Sequence, residues 1–392
     1  MKDQETLLRF IPRHIRKLYQ EKQQNPTTLV LEKEGQLNLS STESRFGTVG
    51  TDASFFLAPD KQATKLKKEL SAYEKMSSEH IVLANGTMEM MDLIARCCCN
   101  PHQDNVLTLQ GSNPQLQHQL KMQAIEVQSI PLEVDLELPI YSIKRAINEQ
   151  TKILFIENPH PITGRCFANF DIVDLTTSFD GLVVINESAI DYATHKSLLP
   201  MVEMCSNVII IHSFSRAWGL AGLPLAVAYS QAPLAQFLTC MQDAISINTM
   251  TQTMATKALY VSEQKERIVE KTINEREQLK KALQQLPQVL KVHESHSNTL
   301  LIESRNHAAL VNYLAEEEQI IVHDVSAIEG FENCLRITVG PGINNLRFIK
   351  AMKDMPKHTS AGYIFWKNVG KTLKKASVYL GVFRKIFGAG SS

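Results

Sequence analysis

No run of about 18 consecutive apolar residues occurs in this 392-residue chain, so no helix is expected to span a bilayer. Neither sign of charge is in excess. The 41 Lys and Arg are matched by 41 Asp and Glu, which argues against nucleic acid as a partner of the whole chain. The opening residues, Met1-Lys2-Asp3-Gln4-Glu5, hold no apolar stretch, so no secretory signal and a cytoplasmic location are expected. Cysteine is sparse and odd in number, seven in all, and scattered apart from Cys97-Cys98-Cys99. That excludes a simple disulfide framework. Three consecutive helical residues point about 100° apart, so the triplet cannot readily chelate one metal ion. Buried small side chains in a reducing compartment, and no metal site, are the expectation.

What is present is an ordinary globular composition, 44% hydrophobic and 21% charged, long enough for two substantial cores. The neutral average hides an asymmetry. From Lys357 onward there are seven basic residues (Lys357, Lys367, Lys371, Lys374, Lys375, Arg384 and Lys385) and no acidic one. Removing those seven leaves 34 basic against 41 acidic residues in the body, so the tail carries +7 and the body −7. Within it, Val369, Leu373, Ala376, Leu380, Phe383 and Phe387 recur at steps of three and four, which predicts one apolar helical face. Residues 363–387 therefore read as a cationic amphipathic helix. Its partner is either an anionic membrane surface, which makes the chain peripheral, or a partner protein.

Four segments follow: an N-terminal arm (1–45), a large domain (46–250), a small C-terminal domain with its connecting helix (251–356), and the basic tail (357–392). Short apolar runs rich in β-branched residues predict strands at Ile81–Ala84, Asn105–Thr108, Ile153–Ile156, Leu182–Ile185 and Val208–Ile211. They alternate with helical patterns, which argues for an α/β domain with a largely parallel sheet. A long helical stretch, about Ala232 to Leu286, leads to a smaller α+β domain with strands near Thr299–Ile302, Ile320–Val322 and Cys334–Val339.

Ordered motifs lie on this frame. Ala84-Asn85-Gly86-Thr87-Met88-Glu89 reads as a strand-to-helix turn, whose first-turn N–H groups and positive dipole end suit a phosphate. Further on come Asn158-Pro159-His160-Pro161-Ile162-Thr163-Gly164, Asn186-Glu187-Ser188-Ala189-Ile190-Asp191-Tyr192 and His212-Ser213-Phe214-Ser215-Arg216-Ala217-Trp218-Gly219-Leu220-Ala221-Gly222. His323-Asp324-Val325-Ser326 and Glu332-Asn333-Cys334-Leu335-Arg336-Ile337-Thr338-Val339-Gly340 complete the set. Over roughly residues 40 to 355 the chain resembles class I/II aminotransferases dependent on pyridoxal phosphate (PLP), and most of all the histidinol-phosphate aminotransferase branch. The resemblance implies the aspartate-aminotransferase fold, a large mostly parallel-sheet domain with a smaller α+β C-terminal domain, and a homodimer or other oligomer. It also assigns Gly86, Thr87, Ser213 and Ser215 to the cofactor phosphate, and Arg336 to the substrate carboxylate.

Several positions depart from the family pattern. Arg216 stands where the family's lysine bonds the cofactor, and a guanidinium offers no free amine lone pair. Asn186 occupies the place of the aspartate that pairs with the ring nitrogen. Ala189 and Pro161 replace a tyrosine and an asparagine that contact the phenolic oxygen. Pro224 replaces a phosphate arginine, Asn113 falls near the position of a stacking aromatic, and His323 falls on a second substrate arginine. The expectation from these departures is a degenerate homologue with no cofactor, serving as a binding, regulatory or scaffold subunit. Two alternatives stand beside it. One is a repurposed enzyme or sensor for an anionic amino-acid-like ligand held by Arg336, Arg216 and His323. The other is a PLP-dependent aminotransferase with atypical cofactor contacts. Arg216 could instead simply pair with Glu187 or another carboxylate.

Overall fold

A computed structural model describes residues 9–24, 44, 46–52, 55–243 and 246–355. Most of the N-terminal arm and all of the basic segment 357–392, including the helical face read at 363–387, lie outside the described residues. Seven strands form the large sheet: β1 (Ile81–Ala84), β2 (Asn105–Leu109), β3 (Glu126–Ile130), β4 (Thr151–Glu157), β5 (Leu182–Asn186), β6 (Val208–Ser213) and β7 (Ala226–Tyr229), in the order β1-β7-β6-β5-β4-β2-β3. β7 runs antiparallel to β1 and β6, and the remaining pairs are parallel. The small sheet is antiparallel, β10 (His323–Asp324), β11 (Cys334–Thr338), β9 (Thr299–Ser304) and β8 (Val289–Val292) in that order. This is the aspartate-aminotransferase architecture.

Period-two alternation explains why the large sheet needs helices on both faces. Leu107, Leu154, Ile156, Val183, Ile185, Val208 and Ile210 enter one core. Their neighbours Val106, Ile153, Phe155, Leu182, Val184, Ile209 and Ile211 enter the other. A third core joins Leu279 and Leu283, on the long helix Ser262–Gln284, to Leu300, Ile302, Leu335 and Ile337 of the small sheet. Cys97, Cys98 and Cys99 are buried thiols at the end of the helix Thr87–Cys98.

The expected continuous helix from Ala232 to Leu286 is instead three helices, Ala232–Met241, Thr249–Tyr260 and Ser262–Gln284. Asn248 caps the second by accepting from the Thr251 N–H at 2.9 Å. The run Ile320–Val322 is not a strand. Pairing begins one residue later, at His323 opposite Arg336.

The loop after β4 ties the two sheets together. The His296 N–H donates to the Gly164 carbonyl at 2.6 Å, and an Arg336 N–H donates to the Pro161 carbonyl at 2.9 Å. Gly164 has a φ of +70°, and an added Cβ there would lie 2.3 Å from the Ser295 hydroxyl oxygen and 3.3 Å from the Thr299 carbonyl oxygen. Gly164→Ala should therefore cost about 1–3 kcal/mol in denaturant unfolding. Gly222, with nothing within 4 Å of its would-be Cβ, is the control and should change stability little when made alanine.

Candidate cofactor and substrate site

Parallel strands of an open α/β sheet deliver their carboxyl ends to one edge, where a crevice forms. Here that edge lines a cavity of about 370 Å³, bounded by Thr87, Asn113, Glu157, Asn186, Ser213, Ser215, Arg216, His323 and Arg336 among others. Most of the residues singled out in the sequence therefore converge. Gly86 adopts a φ of +92° and opens the helix Thr87–Cys98, a conformation that favours glycine. Pro224 packs close to it, 3.4 Å from a would-be Cβ. The first-turn N–H groups of that helix have no partners within the helix, the arrangement of an anion cradle, and the Glu89 carboxylate accepts from the Asn85 N–H at 2.6 Å beside it. Across the cavity the buried Ser213 hydroxyl oxygen accepts from the Ser215 N–H at 3.1 Å, fixing the turn that carries both serines.

Arg216 is half-buried and forms no ion pair among the described residues. Burial pushes its pKa down, and its electrostatic neighbours Glu157 and Tyr192 oppose the shift. The pairing with Glu187 does not occur, because Glu187 is consumed elsewhere. Its carboxylate accepts from the Leu198 N–H at 2.8 Å and from the Ser197 hydroxyl, and lies 3.1 Å from the His212 ring. Arg336 spends one N–H on Pro161, while its buried Nε has no hydrogen-bond partner. Burial, then the nearby Arg216 charge, lowers its pKa. His323 is exposed beside it, with its pKa lowered by desolvation and by the Arg336 charge, so at neutral pH it offers a neutral ring. Two guanidiniums, one with an idle buried donor, thus face an anion cradle. Such a site suits a ligand with more than one anionic group.

The replaced family positions have local duties. Asn113 caps the helix Pro114–Met122 by accepting from the Gln115 N–H at 2.9 Å. Ala189 is buried against Tyr192 and Ala217. Asn186, at the end of β5, accepts from the Ser188 N–H at 3.2 Å and from the Ser188 hydroxyl, and turns its amide nitrogen toward Glu157 at 3.4 Å. Glu157 was not singled out in the sequence. It ends an apolar strand, directly across from Asn186 in the parallel register, and only that pairing reveals it. Burial raises its pKa, with the Asn113 N–H and the Arg216 charge pulling the other way.

Away from the cavity, the fold gathers Cys166, His195 and His296, with potential ligand atoms all within 4.8 Å of one another, where the sequence reading expected no metal group. His296 Nδ1 accepts the Cys166 N–H at 3.0 Å, which leaves the neutral ring's proton on Nε2, while the buried Nδ1 of His195 has no hydrogen-bond partner.

The family model for aminotransferase class I and II matches residues 18–351. The chain belongs to the class I/II aminotransferase family. It is 31% identical to a histidinol-phosphate aminotransferase of Cytophaga hutchinsonii over 295 residues, 75% of this chain and 84% of the relative. It is 33% identical to a histidinol-phosphate aminotransferase of Christiangramia forsetii over 328 residues, 81% of this chain and 93% of the relative. Among solved structures, histidinol-phosphate aminotransferase from Sinorhizobium meliloti in complex with pyridoxal-5'-phosphate superposes with a TM-score of 0.71 at 18% identity, covering 80% of this chain and 90% of that one.

Two expectations are overturned by these relatives. The first made the chain a degenerate homologue acting as a binding, regulatory or scaffold subunit. Its relatives at 31% and 33% identity, over most of both chains, carry the name of an aminotransferase. The second expected no cofactor, whereas the family is PLP-dependent and a structural neighbour is solved with PLP. The physical error was to equate loss of the covalent tether with loss of the site. Thr87, Ser213, Ser215 and Arg336, which the resemblance assigns to non-covalent contacts, still line one cavity. The membrane expectation narrows to one statement: no helix among the described residues is long and apolar enough to cross a bilayer.

Proposed function

We propose that the chain is a PLP-dependent aminotransferase with atypical cofactor contacts, acting on an amino-acid-like substrate that carries an anionic side chain or phosphate. The observation that carries this reading is the convergence of the cradle, two serines and two guanidiniums on one cavity, with an idle buried donor on Arg336. The residues present fit a cofactor held without a covalent bond. Gly86, Thr87, Ser213 and Ser215 would hold its phosphate. When bound, PLP supplies the electron sink that stabilises a carbanion next to an amino group.

The chain's own residues divide the remaining work. Arg336 would grip the substrate carboxylate through its fork. Arg216 stays protonated throughout, so it cannot act as a base or an amine nucleophile, and it would hold a second anionic group instead. His323, neutral at the cavity rim, would hydrogen-bond that group without adding charge.

The test uses full-length protein and added PLP. Saturable absorbance changes at roughly 330–420 nm are expected. Dialysis should reverse them, and borohydride should leave no cofactor mass at position 216. Arg216→Lys restores an amine, so borohydride should then trap the cofactor covalently on the peptide containing residue 216. If wild-type protein shows no saturable binding and Arg216→Lys traps nothing, the proposal fails.

A further inference from the structure

We propose that Glu157 is the carboxylate partner of the cofactor's ring nitrogen, and that Asn186 holds it in that role. The inference rests on the cofactor reading above and deepens it. A pyridine nitrogen is a weak base that keeps a proton only beside an anionic acceptor, and the ring needs that proton to draw electrons. Asn186 cannot be the acceptor. Its carbonyl oxygen is taken by the N–H and the hydroxyl of Ser188, and what remains is an N–H donor pointing at Glu157.

Glu157 is the carboxylate lining the cavity, and it is 7% exposed. It sits one strand over from Asn186, at the same level of the parallel register, so the negative charge has moved sideways rather than vanished. Its two oxygens have only long hydrogen bonds, at 3.3 Å from the Asn113 N–H and 3.4 Å from the Asn186 amide, with the Ser112 hydroxyl and the Arg216 charge nearby. A buried carboxylate with such long bonds retains capacity for a stronger, charge-assisted donor. A protonated ring nitrogen is such a donor. No covalent step is involved; the proton stays between the ring nitrogen and the carboxylate.

The competing role is a counter-charge for Arg216, its electrostatic neighbour. Two probes separate the roles: PLP, and its 1-deaza analogue in which C–H replaces the ring nitrogen. Titration calorimetry on full-length wild-type protein should show a preference for PLP of about tenfold or more. Glu157→Gln should bind the two within about threefold of each other. Glu157→Gln combined with Asn186→Asp returns a carboxylate to the neighbouring strand and should recover the preference. Asn186→Ala removes only the orienting amide and should shrink the preference, which gives a second reading if Glu157→Gln folds poorly. Equal loss of affinity for both probes in Glu157→Gln, with the preference intact, would overturn the inference while leaving the cofactor reading in place. Failure of wild-type protein to bind either probe would overturn both.

Discussion

Arg336→Ala is expected to weaken binding of a carboxylate ligand by about a hundredfold, the equivalent of some 2–3 kcal/mol for a charge-assisted fork. The size follows from what the side chain leaves unused. One of its N–H groups is spent on the Pro161 carbonyl, while Nε is buried without a partner. A buried donor in that state carries a desolvation cost that an incoming carboxylate would relieve. Arg216, whose charge bears on Arg336, adds a repulsion that the same anion would offset. Arg336→Lys separates charge from geometry. It keeps a cation but loses the planar fork, so it should recover only part of the affinity. Binding of an amino-acid or dicarboxylate ligand by calorimetry checks the series. Thermal melts without ligand show whether loss of the Pro161 contact contributes. A full hundredfold deficit in Arg336→Ala with no recovery in Arg336→Lys would point to the fork alone. Unchanged affinity in both would remove Arg336 from the site.

The fold was largely legible in the sequence, and the reasons are particular. Ile81–Ala84, at one edge of the large sheet, and Val208–Ile211 with the other central strands are buried on both faces, so they read as continuous apolar runs. β3, β7 and β8 were missed. β3 and β8 are edge strands whose residues are mostly partly or wholly exposed, which erases the apolar signal. β7 is a four-residue stretch, Ala-Val-Ala-Tyr, too short and alanine-rich to stand out. At the site, residues inside long motifs were legible, and Arg216, Asn186, Ser213 and Arg336 do line one cavity. Glu157 was not, because its meaning lies in its cross-strand neighbour, which no local pattern encodes. The functional misreading has the same root. Each departure from the family pattern was counted as a loss by itself, while the register sets the Glu157 carboxylate directly beside Asn186.

The largest stability effect is expected at Glu187, behind the cavity. Its side chain is wholly buried and serves three partners: the Leu198 N–H at 2.8 Å, the Ser197 hydroxyl and the His212 ring at 3.1 Å. His212 in turn lies 3.4 Å from Glu74 on its other nitrogen. Burial by itself would lower the His212 pKa, but hydrogen bonds and charge from Glu187 and then Glu74 outweigh it and raise the value to about 10. Glu187→Ala breaks this buried set and strands the Leu198 N–H, so a loss of about 3–5 kcal/mol is expected. Glu187→Gln keeps an acceptor for Leu198 and should cost less. The sign of the pH dependence follows from linkage. A histidine whose folded pKa exceeds its unfolded value binds a proton more tightly when folded. Its contribution is fully present below an unfolded pKa of about 6.5 and fades as pH rises toward about 10. The stability gap between wild type and Glu187→Gln should therefore be widest near pH 6 and narrow steadily toward pH 10, as read by melts across that range. A gap that is flat over those four pH units would mean that His212 is neutral in the fold, held by hydrogen bonds and not by charge.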